Sequence, residues 1–232
     1  MTDRDPVLLL PGMMCDAELW RDQIAALRDE AMCTLPVLSA ATIEAMAEDV
    51  LRQAPERFAL AGLSMGGYVA LAIMRMAPDR ITRLFLANTS ARADTPEQRV
   101  GRQAAIAHVE AGRFDQVIER LLTVLIHPSR AGDAAMLRRI EAMLRRMGPE
   151  VFVRQQRAAA GRPDSRPGLA GIAVPTHVVA GDSDRVIPPD HAAELAAAIP
   201  GASFTLFDTC GHLSPIERAA DVTDALRRWI AG

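Results

Sequence analysis

Residues 58–67, Phe-Ala-Leu-Ala-Gly-Leu-Ser-Met-Gly-Gly, place a Gly-x-Ser-x-Gly pattern between an apolar run and a helical one. The first four residues predict a buried strand, and Met65–Met76, which is apolar nearly all round, predicts a buried helix. A serine at so sharp a turn has a strained backbone, and the residues two before and two after it must be small to keep strand and helix apart. Gly62 and Gly66 meet this need, so the pattern predicts a nucleophilic Ser64 beside the positive end of the helix.

Short apolar runs alternate with amphipathic stretches on both sides of this turn, which predicts an α/β fold with a parallel sheet and helices on both faces. Pro36 favours an edge position for the strand that contains it. The other predicted strands are Val7–Leu10, Ala31–Val37, Leu84–Ala87, Thr176–Ala180 and Ser203–Phe207. The helices predicted between these strands are Asp16–Arg28, Asp190–Ile199 and Ile216–Ile230, together with a helix that begins after the capping residue Thr42.

Residues 89–165 interrupt the alternation, because they contain only helical patterns separated by glycine and proline. This predicts a helical insertion at 89–165 in a core that is built from residues 1–88 and 166–232. Its predicted helices are Glu97–Ala111, Phe114–Ile126, Ala134–Met147 and Glu150–Ala160.

The composition excludes several classes of function. The chain has 232 residues, 50% of them hydrophobic and 24% charged, as expected for one globular domain with an insertion. Its net charge of -3 argues against nucleic acid as a partner, since phosphate binding needs a basic surface. All 26 basic residues are arginine, which excludes catalysis through a Schiff-base, P-loop or kinase-type lysine.

The cysteines and the N-terminus suggest a cytoplasmic chain. Cys15, Cys33 and Cys210 have no spacing suited to zinc, so neither a metal nor a cofactor is expected. Residues 1–6 are polar and acidic, unlike a signal peptide. The apolar run after them is far shorter than the ~20 residues that a membrane span needs, so no membrane association is expected.

A serine nucleophile needs a base, and His212 is the best candidate among five histidines. It lies on a loop after the last predicted strand, where open α/β sheets gather their functional residues. The other four fall in the insertion, inside an apolar strand or at a helix start: His108, His127, His177 and His191.

The base in turn needs an orienting acid, and two carboxylates follow the strand that ends at Ala180. One of them can cap the turn while the other faces the histidine; we favour Asp184 for the second role, with Asp182 as the alternative. The end of the preceding strand offers only Asn88 and Thr89, which carry no charge.

The order Ser64, Asp184, His212 resembles the α/β-hydrolase family, and the likeness covers nearly the whole chain. It is greatest to small bacterial carboxylesterases, including carrier-protein methyl ester esterases, and to enol-lactonases of aromatic degradation. Family members usually begin with a two-strand hairpin, for which the six residues before Val7 leave no room. The resemblance therefore implies a shortened, mostly parallel sheet of about six strands, with 89–165 as a cap over the active site.

The stretch Leu-Leu-Leu-Pro-Gly-Met-Met-Cys-Asp at residues 8–16 resembles the oxyanion loop of the same family, although many members have His-Gly where this chain has Pro-Gly. By position, the oxyanion donors are the backbone N–H groups of Met13 and Met65. Met14 and Leu213 are candidates for the wall of the substrate pocket, although the methionines fit ordinary core packing equally well.

The resemblance implies a serine hydrolase that cleaves a small carboxylic ester. Enol-lactone or C–C bond hydrolysis uses the same triad and remains the alternative; a non-catalytic receptor on this scaffold is less favoured, since every triad candidate is present.

Two charged groups of the cap lead to further expectations. Arg162 and Asp164 are expected to form an ion pair at its hinge. Four arginines lie on one face of a predicted cap helix: Arg138, Arg139, Arg145 and Arg146. Their side chains are either solvated, which we favour, or bind an acidic carrier protein or a CoA ester.

Overall fold

The computed structural model describes residues 6–232 and contains one open, six-stranded, entirely parallel sheet. The strands are β1 (Pro6–Leu10), β2 (Met32–Thr34), β3 (Phe58–Leu63), β4 (Ile81–Ala87), β5 (Thr176–Gly181) and β6 (Ser203–Phe207). Their order across the sheet is β2-β1-β3-β4-β5-β6. The predicted α/β class and the parallel sheet of about six strands are confirmed, and β2 lies at an edge but ends before Pro36. The expectation about the first five residues lies outside the described part of the chain.

Helices cover both faces of the sheet. They are α1 (Arg21–Leu27), α2 (Ile43–Gln53), α3 (Met65–Met76), α4 (Pro96–Glu110), α5 (Phe114–Val124), α6 (Ala134–Ala160), α7 (Pro189–Ala198), α8 (Ser214–Glu217) and α9 (Ala219–Ala231). The predicted helix Asp16–Arg28 divides into the 3₁₀ turn Ala17–Trp20 and α1, and the predicted closing helix divides at Arg218. No helix within residues 6–232 is long and apolar enough to cross a membrane.

Two hydrophobic clusters form the core, one on each face of the sheet. Alternate residues of a strand point to opposite faces, so Leu8 and Leu10 of β1 pack with α2, α3 and α7, while Val7 and Leu9 pack with α1 and α9. All six residues of β3 are buried, as expected for a central parallel strand.

Residues 89–165 contain α4, α5 and α6 and no strand. The span of α6 includes a break at Gly148, whose φ of 78° and ψ of 170° are not helical, so the two helices predicted at Ala134–Met147 and Glu150–Ala160 are confirmed. Only glycine adopts such a conformation readily, and Pro149 begins the second half without needing an N–H donor. The division into a core and a cap remains a prediction.

Candidate active site

The turn between β3 and α3 places Ser64 in a conformation that non-glycine residues rarely adopt, with φ of 55° and ψ of -116°. A side chain at Gly62 would overlap the backbone of Gly66, and one at Gly66 would overlap the carbonyl of Leu10. The Thr89 hydroxyl donates to the Ser64 carbonyl at 2.7 Å. Close backbone contact therefore requires both glycines and holds the serine at the carboxyl edge of the sheet.

His212 follows β6 and is joined to Asp184, which follows β5. Its Nδ1 lies 2.7 Å from Asp184 Oδ2, and both side chains are buried. An ionised carboxylate only accepts hydrogen bonds, so this contact assigns the ring proton to Nδ1 and leaves Nε2 as an acceptor. His212 and Ser64 line the same cavity, whose volume is about 160 Å³.

The two neighbouring carboxylates have different surroundings. Burial disfavours the charged form of Asp184, but the adjacent His212 and the hydrogen bonds to the carboxylate hold its pKa below the usual value. Its second oxygen accepts from the backbone N–H of Val186 at 2.8 Å. Asp182 instead accepts from the N–H groups of Thr209 and Cys210 at 3.0 and 3.1 Å. Asp184 faces the histidine, while Asp182 caps the next loop.

Asn88, which sequence reasoning set aside for its lack of charge, lies at the centre of this network. Its amide nitrogen donates to Asp184 Oδ2 at 3.0 Å and to the Gly211 carbonyl at 3.1 Å. Its amide oxygen accepts from the Ser214 hydroxyl at 2.6 Å. Its φ of 46° turns the chain just beyond β4. Its place after a central strand was the available signal, because the carboxyl ends of parallel strands meet at one edge.

Glu217 and the backbone of Leu125 both hold the loop that carries His212 through hydrogen bonds. Glu217 accepts from the backbone N–H of Gly211 at 2.9 Å and from that of His127 at 2.7 Å, and burial raises the pKa of this carboxyl. The carbonyl of Leu125, which directly follows α5, accepts from the backbone N–H of His212 at 3.0 Å. The helical insertion thus supports the histidine directly.

The proposed oxyanion donors, Met13 and Met65, both line the cavity. Met65 is the first residue of α3 and has no acceptor in its own helix, and within residues 6–232 the N–H of Met13 donates to no other group. The loop that follows β1 and carries Met13 is held by Gln155 of α6. The Gln155 Oε1 accepts from the backbone N–H of Met14 at 2.8 Å, and its Nε2 donates to the Leu38 carbonyl at 2.9 Å. Sequence analysis missed this buried glutamine.

The cavity wall includes both predicted pocket residues, Met14 and Leu213. Much of the remaining wall is apolar and comes from the insertion: Leu121, Leu125, Leu144 and Phe152. A substrate in this cavity is therefore enclosed by residues of both sequence regions.

The expected pair between Arg162 and Asp164 is wrong. Arg162 instead donates to Asp94 Oδ1 at 2.6 Å, and Asp164 pairs with Arg166 at 2.5 Å. Burial explains the choice, because Arg162 and Asp94 both face the interior while Asp164 lies near the surface.

Three of the four arginines that the sequence places on one face of α6 are ion-paired with acids of the chain itself. The pairs are Arg139 with Glu18 and Asp22, Arg145 with Asp115 and Glu141, and Arg146 with Asp16. Arg138 is exposed. Most of the positive charge on this face is therefore already compensated.

Comparison with known proteins decides the family, since the profile described as the alpha/beta hydrolase fold matches residues 5–219. The chain belongs to the alpha/beta hydrolase fold family. Two solved alpha/beta hydrolases superpose over almost all of it. An esterase from Thermogutta terrifontis has 31% sequence identity and a TM-score of 0.89, covering 97% of this chain and 89% of its own. The enol-lactonase from Burkholderia xenovorans LB400 has 26% identity and a TM-score of 0.89, covering 99% and 92%.

Curated alpha/beta hydrolases with similar sequences have different substrates. The 2-hydroxy-6-oxononadienedioate/2-hydroxy-6-oxononatrienedioate hydrolase of Paraburkholderia xenovorans is 31% identical over 71% of this chain, but the match spans only 58% of that enzyme. The pimeloyl-[acyl-carrier protein] methyl ester esterase of Aliivibrio salmonicida is 26% identical over 83% of this chain and 76% of its own length. The predicted resemblance to the family, and to its esterase and enol-lactonase members, is confirmed.

Proposed function

We propose that the chain is a serine hydrolase that cleaves carboxylic esters through an acyl-enzyme on Ser64, with His212 as general base and Asp184 as orienting acid. The observation that carries this proposal is the buried contact of 2.7 Å between His212 and Asp184 on a cavity that Ser64 also lines. The likeness to esterases supports the ester as the bond that is cleaved.

In this mechanism, Nε2 of His212 takes the proton of the Ser64 hydroxyl as the oxygen attacks the ester carbonyl. Asp184 accepts the hydrogen bond from Nδ1 and stabilises the imidazolium that forms. The N–H groups of Met13 and Met65 stabilise the oxyanion of the tetrahedral intermediate, and each such donor contributes ~10²–10³ in rate. His212 then protonates the leaving alcohol, and a water molecule, activated by the same base, releases the acid.

The same groups can open an enol-lactone or cleave a C–C bond next to a carbonyl, and the likeness to enzymes of both kinds supports this alternative. A panel with one p-nitrophenyl ester, one enol-lactone and one vinylogous diketone separates the three activities. A receptor without catalysis is the least supported function, and turnover of any of these compounds excludes it.

Residues 89–165 are proposed to act as the cap over a core of residues 1–88 and 166–232, supported by the cavity-wall residues that they provide.

The natural substrate is proposed to be a small-molecule ester. An acidic carrier protein or a CoA ester on the cap draws support from the likeness to the carrier-protein esterase. Against it, three of the four arginines on the proposed face of α6 have acidic partners, and only Arg138 of these four has none among the described residues. Cytoplasmic location is proposed because Cys15, Cys33 and Cys210 are free thiols.

Labelling with a fluorophosphonate tests the nucleophile. Ser64→Ala should abolish labelling and lower kcat on p-nitrophenyl butyrate by on the order of 10⁴–10⁶, because the triad acts as a unit. Ser90→Ala is the matched control, since Ser90 is another buried serine on the cavity wall and should remain dispensable for labelling. Labelling that persists in Ser64→Ala would overturn the assignment.

A further inference from the structure

One part of the catalytic cavity carries charge instead of apolar side chains. Asp94, Arg102 and Arg162, here called the Asp94 cluster, all line the cavity that Ser64 and His212 share. Asp94 precedes α4, Arg102 belongs to α4 and Arg162 follows α6. The cluster is therefore built where the insertion leaves and rejoins the core.

The Asp94 cluster has two cations for one anion. The Asp94 side chain is fully buried and accepts from Arg102 Nε at 2.5 Å and from Arg162 Nη1 at 2.6 Å. Among the described residues, Asp94 is the only acid on the cavity wall, since Asp184 lies behind His212 and is bonded to it. One positive charge at the wall thus has no counterion.

The other titratable groups on this wall do not supply the missing negative charge, since burial raises the pKa of both Cys15 and Tyr68 and keeps them neutral. His191 lines the cavity and contacts the Arg92 guanidinium at 3.1 Å, and burial lowers the pKa of this histidine. Arg92 pairs with Glu194 at 2.8 Å and Asp190 at 3.3 Å, Glu194 also pairs with Arg166 at 3.7 Å, and neither of these acids lines the cavity. The excess positive charge therefore belongs to the Asp94 cluster.

Both arginines keep N–H groups free for a further partner. Each guanidinium has five N–H donors. Arg162 uses Nε on the Arg92 carbonyl at 3.1 Å and Nη1 on Asp94 and the Ala159 carbonyl, whereas its Nη2 makes no hydrogen bond to any residue from 6 to 232. Arg102 donates from Nη1 to Gln156 at 2.7 Å and keeps one further N–H there. These free donors and the excess charge occur on the same cavity wall.

The Asp94 cluster is connected to Ser64 through Tyr68. The guanidinium carbon of Arg162 sits 4.2 Å from the ring centre of Tyr68. Tyr68 is one helical turn after Ser64, a rise of about 5.4 Å, and its backbone N–H donates to the Ser64 carbonyl at 3.3 Å. Stacking on the ring fixes the plane of the guanidinium, so its free donors are preorganised.

We infer that the Asp94 cluster binds a carboxylate at the far end of the acyl group, so that the preferred substrates are monoesters or lactones that carry a second, free carboxylate. A carboxylate matches both the missing charge and the paired geometry of guanidinium donors. A neutral acyl chain leaves the buried cation without a counterion. This inference rests on the proposed hydrolase function and names the substrate class of the same site.

Two esters of equal chain length test the inference on the unaltered protein. p-Nitrophenyl hydrogen glutarate and p-nitrophenyl valerate have the same leaving group and five acyl carbons, but only the first has a free carboxylate. We expect a kcat/KM at least ~10-fold higher for the glutarate, which corresponds to one charge-assisted contact. Equal values, or a preference for the valerate, overturn the inference.

Variants of the cluster assign the preference to its residues. Arg102→Gln should raise KM for the glutarate ester by about 10–100-fold and change KM for the valerate ester by less than about threefold. Arg99→Gln is the matched control, because Arg99 is exposed on the same helix, and it should change neither value. An equal loss on both esters means that Arg102 has only a structural role, which overturns the inference.

A third measurement keeps the inference testable if Arg102→Gln fails to fold. Free glutarate should inhibit valerate hydrolysis by the unaltered protein competitively, whereas valeramide, which has the same length and no charge, should inhibit far more weakly. Equal inhibition overturns the inference. If valerate hydrolysis proceeds through a labelled Ser64 without any carboxylate preference, the hydrolase function survives and only the subsite fails; no hydrolysis and no labelling mean that the function itself is wrong.

Discussion

The proposed catalytic site consists of two parts that are held in place by different forces. Around Ser64, backbone atoms of β1, β3 and α3 approach so closely that no side chain fits at Gly62 or Gly66. Around His212 and Asp184, the contacts are instead hydrogen bonds from polar side chains. The nucleophile is thus held by steric contact, and the pair that activates it is held by a polar network.

This difference decides what each part reveals in the sequence. A steric requirement acts between near neighbours and appears as glycines at fixed spacing. The polar network joins residues that are far apart, such as Asn88 and Asp184, which are 96 positions distant, or Asn88 and Gly211, which are 123 distant. Such contacts leave no local pattern. Substitutions in the two parts should therefore fail in different ways.

After loss of the nucleophile itself, the largest effect is expected at the acid. Asp184→Asn should lower kcat on the order of 10⁴-fold, because an amide cannot hold the required tautomer of His212 or stabilise the imidazolium. Asp182→Asn is the control, since that side chain caps the loop at Thr209 and Cys210, and it should cost less than about tenfold. Steady-state kinetics on p-nitrophenyl butyrate check both, and the reverse ranking would move the acid to Asp182.

Gly66→Ala tests the steric part. The added methyl overlaps the carbonyls of Leu10 and Pro11, so the turn must shift, with a loss of at least about 2 kcal/mol in the free energy of unfolding and ~10²–10³ in kcat. Gly101→Ala in α4 meets nothing and should stabilise the protein by about 0.5–1 kcal/mol. Urea unfolding measures both; similar effects at the two sites would contradict the steric account.

Asn88→Ala tests the polar part. It removes two donors from Asp184 and Gly211 and should lower kcat by about 10–100-fold, with little change in KM, because the histidine loses orientation and not substrate contact. Ser214→Ala removes only the contact to the Asn88 oxygen and should have a smaller effect. An unchanged kcat in Asn88→Ala would mean that the network has no part in positioning.

The smallest effect is expected at Glu217. Glu217→Gln should lower kcat about 3–10-fold, since an amide can accept from only one of the N–H groups of Gly211 and His127. Burial raises the pKa of Glu217, so the folded state binds its proton more tightly than the unfolded chain, and its stabilising contribution is fully present below the unfolded pKa and declines as the pH rises through the raised one.

Urea unfolding at several pH values checks the Glu217 prediction. The difference in free energy of unfolding between the unaltered protein and Glu217→Gln should be largest at acidic pH and shrink toward neutral pH. Glu119→Gln, an exposed position on α5, is the control. A difference that grows toward neutral pH would contradict the direction of the pKa shift.

Much of the fold was predictable because burial leaves regular patterns. The six strands were found from short apolar runs, and Met65–Met76 was found to the residue, because an all-apolar helix after a glycine turn has few other interpretations. Glycine and proline predicted the break at Gly148, whereas the division of the predicted helix Asp16–Arg28 into a 3₁₀ turn and α1 has no such signal in the sequence.

The rest of the site was not predictable because it depends on hydrogen bonds and ion pairs between residues that are far apart in the chain. Gln155 meets Met14 over 141 positions, and a glutamine inside an amphipathic helix gives no sign of burial. Arg162 was assigned to the acid nearest in sequence, while its partner Asp94 lies 68 positions away. Local spacing predicts which residues carry the chemistry but not which residues hold them.

Two of the hydrogen bonds that the insertion makes to the catalytic loops have a consequence for protein engineering. The Leu125 carbonyl holds His212, and the Gln155 amide holds the loop of Met13 and Met14. A chimera that exchanges residues 89–165 for those of another alpha/beta hydrolase would change specificity and also remove these supports. Such a graft should recover activity only when it restores an acceptor beside His212 and a carbonyl beside Met14, so substrate range and catalytic competence are inherited here as one unit.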